Sequence, residues 1–337
     1  MRHLIWLSLS ACASDVVHDH FNVLVDGAVL PVEVHGDLAS GTLVLVESGG
    51  PSGPGIAERT VGYHPYQDTL ERDVAVAWYD RRGTGNATGD YGVDDQSIDQ
   101  LIIDLDAVID VLIARYAPDH VLLLGHSFGT YTSGLYLLDR PGKVDGWVAA
   151  GPSIIEGPDD LFVPYRRDFA CRVGDGQRAD GRTDPLWADL AAFCEANPTL
   201  PPLWDTPERE ELWVYLNEIQ DLLEPWPAMD VGGLLGSIVG SHYNLIDTQL
   251  RDNLISSHID GVPGREDLIP ELGALEVPVG VITGEFDGTT PTELGAAMIG
   301  TLPAGAALTE MPDAGHYMMT DDPEAFRDAV MRVVDQM

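Results

Sequence analysis

Four apolar residues, Val121 to Leu124, run into Gly125-His126-Ser127-Phe128-Gly129, and a helix-compatible segment from Tyr131 to Leu138 follows. A buried strand, a Gly-x-Ser-x-Gly turn and a helix in that order admit few folds. The serine must sit on a turn so sharp that small residues are needed two positions to either side, and Gly125 and Gly129 supply them. Such a turn lifts the Ser127 hydroxyl clear of the sheet. It also aims the Phe128 N–H and the start of the helix at the place where an oxyanion would form. The same five-residue pattern arises by chance in loops; its flanks here mark the strand–turn–helix unit of a nucleophile elbow.

The rest of the chain repeats that rhythm. Phe21–Val25 and Ala28–Val34 read as a hairpin closed by Asp26-Gly27. Thr42–Val46, Val74–Tyr79 and Val144–Ala150 read as further strands, and Ile98, Leu101, Ile102, Leu105, Val108, Ile109 and Leu112 recur at helical spacing between Ser97 and Tyr116. Strands alternating with helices imply an α/β fold: a mostly parallel sheet covered on both faces. The rhythm stops at Gly151. Residues 152–265 are rich in Trp, Pro and Asp, with helical stretches near 187–195, 208–223 and 243–256, and read as an inserted helical cap over the strand ends. It resumes with Val279–Thr283, a helix from Thr292 to Ile299, a strand near Ala307–Met311 and a final helix from Pro323. The core is thus expected over 21–151 and 266–337.

Residues 1–20 read as a leader and tether. Met1-Arg2 before a short apolar run resembles an export signal, and Leu9-Ser10-Ala11-Cys12 resembles a bacterial lipobox, which would lipidate Cys12. The expectation is an exported chain, periplasmic or attached to a membrane through Cys12. The alternative is a buried first strand with an incidental cysteine in a cytoplasmic protein. Cys171 and Cys194 remain; in an exported protein they pair, and otherwise they are buried thiols. They lack the close spacing of a zinc site. The net charge of −37 argues against a nucleic acid partner, whose phosphates such a surface repels.

A serine hydroxyl needs a base beside it and an acid orienting that base, in chain order Ser, acid, His for this type of sheet. Asp287 stands just past the strand Val279–Thr283, with Glu285 as a competing carboxylate. His316 lies between the last strand and last helix, with His126 and His242 as rivals. Gly49-Gly50-Pro51-Ser52 follows a strand, and its N–H groups would complete an oxyanion hole with Phe128. Gly50 is the chosen donor and Ser52 its rival. This chemistry calls for no metal or other cofactor.

Gly49-Gly50-Pro51, Asp80-Arg81-Arg82-Gly83-Thr84-Gly85, the elbow, Gly284-Glu285-Phe286-Asp287 and Gly315-His316 together resemble an α/β-hydrolase of the proline iminopeptidase (serine aminopeptidase) family. The resemblance implies an aminopeptidase that releases N-terminal residues from small peptides, with Asp80–Gly85 supporting neighbouring loops. It also implies cap glutamates that hold the substrate's amine, one of them just before a His-Tyr pair. Here Gly240 precedes Ser241-His242-Tyr243, and Ser48 stands where the family has histidine. A second family glutamate lies on a Trp-rich helix, and Glu218 in Trp213-Val214-Tyr215-Leu216-Asn217-Glu218 is the nearest counterpart. Glu211 and Asp247 are the other candidates. Glu218, His242 and Tyr243 are thus the expected substrate-binding residues. An esterase on small esters, needing no amine clamp, is the first alternative, and a non-catalytic binding protein of the same fold is the second.

Overall fold

Thr42–Glu47 (β3) is buried at every position, as a strand covered on both faces must be. The computed structural model describes residues 16–51, 53, 55–60, 69–92, 95–154, 161–203, 206–223, 265 and 267–337. Around β3 it builds one nine-stranded sheet. In chain order the other strands are β1 (Val16–Val25), β2 (Ala28–Asp37), β4 (Ala75–Tyr79), β5 (Thr88–Gly89), β6 (His120–His126), β7 (Gly146–Ala150), β8 (Val279–Gly284) and β9 (Ala307–Met311). Spatially they run β1-β2-β4-β3-β6-β7-β8-β9, with β5 paired to β2. The pairs from β4 to β9 are parallel, and β1 and β2 form the antiparallel edge.

The first strand begins at Val16, inside the segment expected to be a tether, and pairs along its whole length with β2, from Val16↔Asp37 to Val25↔Ala28. His18, Asp19 and His20 make the segment look like a tether. On an edge strand with one wet face these residues are at home. Cys12 lies outside the described residues.

The alternation of β3 splits the core in two. Leu43 and Leu45 pack with α2 (Ile98–Tyr116), α3 (Phe128–Asp139) and α7 (Thr292–Ile299) on one face. Val44 and Val46 pack on the other with Trp78 and with Phe326, Val330 and Val333 of α8 (Pro323–Val334). A short helix, α1 (Gly55–Thr60), adds Ile56 to that second core.

Part of the expected insertion is described. It contributes α4 (Val163–Ala179), α5 (Pro185–Ala196) and α6 (Pro207–Leu223), which share a separate core of Phe169, Val173, Trp187, Leu190, Leu212 and Leu216. Cys171 on α4 and Cys194 on α5 form a disulfide, which decides between the two readings of these cysteines. The helices lie against the active end of the sheet. Phe286 packs on their core, and Phe169 and Leu216 line the space beside Gly288. Gly240, His242, Tyr243 and Asp247 fall outside the described residues. Among the described residues no helix is long and apolar enough to cross a membrane.

Candidate active site

In this sheet β3 has β4 on one side and β6 on the other, so the chain changes direction of winding there. Open α/β sheets bind ligands beyond the carboxyl ends of strands at such a point. All the residues singled out for chemistry in the core gather at that end.

Ser127 joins β6 to α3 at φ +51° and ψ −123°, a conformation that a non-glycine residue holds only under constraint. Its N–H donates to the Ala150 carbonyl at 2.9 Å, and the Thr130 N–H and hydroxyl both donate to its carbonyl, at 2.8 and 2.7 Å. The small flanking residues are sterically required. A β-carbon at Gly125 would lie 2.6 Å from the Gly129 carbonyl oxygen, and one at Gly129 would lie 2.6 Å from the Glu47 carbonyl carbon. Both contacts are to backbone that cannot swing away. Gly129→Ala is therefore expected to destabilise the fold by at least the ~1–3 kcal/mol typical of an overpacked core and to abolish activity, read by urea unfolding and by turnover.

Asp287 is fully buried after β8 and accepts four hydrogen bonds. His316 Nδ1 lies 2.9 Å from its Oδ2, the Thr290 hydroxyl 2.8 Å from the same oxygen, and the Thr289 and Thr290 N–H groups 2.9 and 2.8 Å from Oδ1. Burial would raise this carboxyl. The charge and hydrogen bond of His316, with the Thr290 bonds, outweigh that and hold it below the ordinary aspartate value. An ionised carboxylate only accepts, so His316 carries its proton on Nδ1 and presents a lone pair at Nε2 in its neutral form. Gly151 ties this pair to Ser127. It follows Ala150, and a β-carbon on it would stand 3.3 Å from His316 Cε1 and 3.4 Å from Asp287 Oδ2.

The rivals are accounted for. Glu285 turns away to accept the Asp313 N–H at 3.1 Å. His126 is buried with Nε2 3.0 Å from the His316 carbonyl, to which it donates; burial, then the nearby His316, lowers it to about 3, so it stays neutral. It thereby pins the His316 loop to the elbow, a role the sequence reading did not assign it.

Gly50, at φ +62°, belongs to a loop organised by Arg81. The Arg81 guanidinium donates to the carbonyls of Ser48, Gly50 (2.8 Å) and Pro51 (3.3 Å), reaches the Ser48 hydroxyl at 2.8 Å and stands 3.0 Å from Glu47 Oε1. The support expected of Asp80–Gly85 thus has a physical form. Asp80 contributes too, accepting the Ile56 and Asn86 N–H groups at 3.1 and 2.8 Å. The Gly49 N–H is taken by Glu58 Oε1 at 2.9 Å, so within this loop it is not the N–H free for another acceptor. Ser52 lies outside the described residues.

On α6 the buried residues are Leu212, Leu216 and Ile219, and Glu218 falls on the exposed side, without the desolvation an ammonium clamp needs. Glu211 is exposed as well and accepts the Tyr215 hydroxyl at 3.2 Å. Among the described residues no group of three or more His, Cys, Asp or Glu side chains is arranged to hold a metal ion.

Residues 54–170, from α1 to α4, match the sequence profile of the family described as serine aminopeptidase, S33. Solved structures agree over nearly the whole length. A proline iminopeptidase from Mycobacterium smegmatis is 17% identical with a TM-score of 0.60, covering 94% of this chain and 98% of its own. The chain has the α/β-hydrolase fold. An esterase from Rhodococcus sp. ECU1013 is 19% identical with a TM-score of 0.59, covering 95% of this chain and 98% of its own. A proline iminopeptidase-related protein from Thermus thermophilus is 23% identical with a TM-score of 0.58 and the same coverage. No curated protein matches the sequence. A proline iminopeptidase and an esterase thus share this fold, and the fold alone does not choose between them.

Proposed function

We propose that this α/β-hydrolase cleaves acyl substrates through Ser127, with His316 as general base and acid and Asp287 fixing the His316 tautomer. The reading is carried by the buried 2.9 Å pair of Asp287 and His316 beside a strained serine elbow. His316 Nε2 takes the hydroxyl proton as Ser127 Oγ attacks the carbonyl carbon. The tetrahedral oxyanion is held by the N–H groups of Phe128 and Gly50. The proton then passes to the leaving amine, the carbon–nitrogen bond breaks, and water releases the acyl group by the same steps.

The substrate class we favour is a short peptide with a free N-terminal residue, small or prolyl. The serine aminopeptidase profile that spans the elbow supports it. The exposed position of Glu218 favours a second reading, a carboxylesterase on small esters. Purified protein assayed side by side on aminoacyl arylamides, N-blocked arylamides and short-chain esters separates the two. Cleavage confined to free-amine substrates is expected, and preferential turnover of simple esters would overturn the peptidase reading.

A further inference from the structure

One carboxyl group beside the nucleophile has no part in the chemistry above. Glu58 extends from α1, and its Oε1 accepts the Gly49 N–H at 2.9 Å. Gly49 is packed directly on the elbow: a β-carbon there would lie 2.9 Å from His126 Nδ1 and 3.2 Å from Ser127 Cβ. The carboxyl therefore stands one residue away from the attacking side chain, on the side of the oxyanion loop.

No described cation is bonded to it. The charges that act on it are Arg81, Glu47 and His316, and each is engaged elsewhere. Arg81 serves Glu47 and the Ser48–Pro51 carbonyls, and His316 serves Asp287. Arg59, its neighbour on α1, turns to a bidentate pair with Glu71 at 2.9 and 3.1 Å. Other carboxylates buried at this end are filled, Asp80 by the Ile56 and Asn86 N–H groups. Glu47 has Arg81, the Tyr79 hydroxyl at 2.7 Å and the Thr132 hydroxyl at 3.0 Å, and Asp287 has its four donors. Burial pushes the Glu58 carboxyl up to about 7, against the Gly49 hydrogen bond and the Arg81 charge. Such a group gains from any cation supplied from outside.

We propose that Glu58 is the carboxylate that receives the substrate's ammonium group. The inference rests on the aminopeptidase reading and moves the amine site from the helical insertion into the core. An α-ammonium is borne on the carbon next to the scissile carbonyl, so its partner must stand beside the oxyanion loop, where Glu58 is. Binding a cation favours the ionised carboxylate and releases a proton from the fraction of Glu58 that was protonated. KM for free-amine substrates should therefore fall as pH rises through about 7.

The alanyl and propionyl p-nitrophenyl esters differ only in the amine and give the test. Glu58→Gln keeps an acceptor for the Gly49 N–H and removes the charge. It should lower the alanyl-to-propionyl ratio of kcat/KM by about 10- to 100-fold, mainly through KM, and erase the pH dependence of KM near 7. Glu58→Asp should retain part of the preference, and fluorophosphonate labelling of Ser127 reports that each variant is folded. A ratio that survives Glu58→Gln, with both esters slowed alike in Glu58→Ala, would make Glu58 a prop for the loop and overturn the proposal. Wild-type protein that turns over both esters equally would remove the aminopeptidase reading and the proposal with it.

Discussion

Ser127→Ala should lower kcat by about 10⁴- to 10⁶-fold and abolish labelling by a fluorophosphonate, because it removes the hydroxyl of the elbow, whereas the Thr290 hydroxyl beside the same pair is spent on Asp287 Oδ2. His316→Ala should cost about as much. Asp287→Asn should cost about 10⁴-fold, since the amide no longer selects the Nδ1–H tautomer that presents Nε2 to the serine. The triple variant should be little slower than Ser127→Ala alone, as the three act as one unit. Ser127→Gly adds a second readout. Glycine adopts φ +51° without strain, so this variant should be more stable than wild type by about 1 kcal/mol in urea unfolding while remaining inactive. Ser127→Ala protein that still turns over substrate would end the proposal. A Ser127→Gly variant no more stable than wild type would remove the claim that the elbow stores strain.

The elbow and the Asp287 and His316 loops were legible because backbone sterics restrict what stands there. Gly125 and Gly129 admit no β-carbon, and the acid and histidine must follow particular strands. Features set by tertiary contact were not legible. Glu58 lies in a six-residue helix after a Gly- and Pro-rich loop, with no periodicity to mark it. The helix Val163–Ala179 was hidden by Gly174 and Gly176, which lower helix propensity. Gly174 is there for packing, since a β-carbon on it would meet Leu190 Cδ2 at 2.8 Å where α4 crosses α5. On α6 the aromatic residues Trp213 and Tyr215 stand out in the sequence, but the aliphatic Leu212, Leu216 and Ile219 set the buried face. The polar start of β1 illustrates the same limit, because a wet edge strand and a tether have the same composition.

Arg81→Met should separate the two duties of the loop support. Arg81 and Glu47 are each 1% exposed in their side chains, so removing the guanidinium leaves a buried carboxylate whose remaining hydrogen bonds come from the Tyr79 and Thr132 hydroxyls. Breaking a buried pair in this way costs about 3–5 kcal/mol of stability. It also releases the Ser48, Gly50 and Pro51 carbonyls, so the Gly50 N–H is no longer held for the oxyanion, and kcat should fall by about 10²- to 10³-fold. Adding Glu47→Gln removes the orphaned charge; its amide oxygen accepts from one hydroxyl and its NH2 group donates to the oxygen of the other. The double variant should recover most of the stability and little of the kcat. Arg82→Met is the matched control. Arg82 is equally buried and pairs with Asp104 at 2.7 and 2.9 Å, but its remaining bonds go to Val25 and Asp26 in the β1–β2 turn. It should lose comparable stability and keep kcat at temperatures where it remains folded. If kcat returned together with stability in the Arg81→Met, Glu47→Gln protein, the guanidinium would serve only to neutralise Glu47. If kcat stays low, Arg81 is what holds the Gly50 N–H in place.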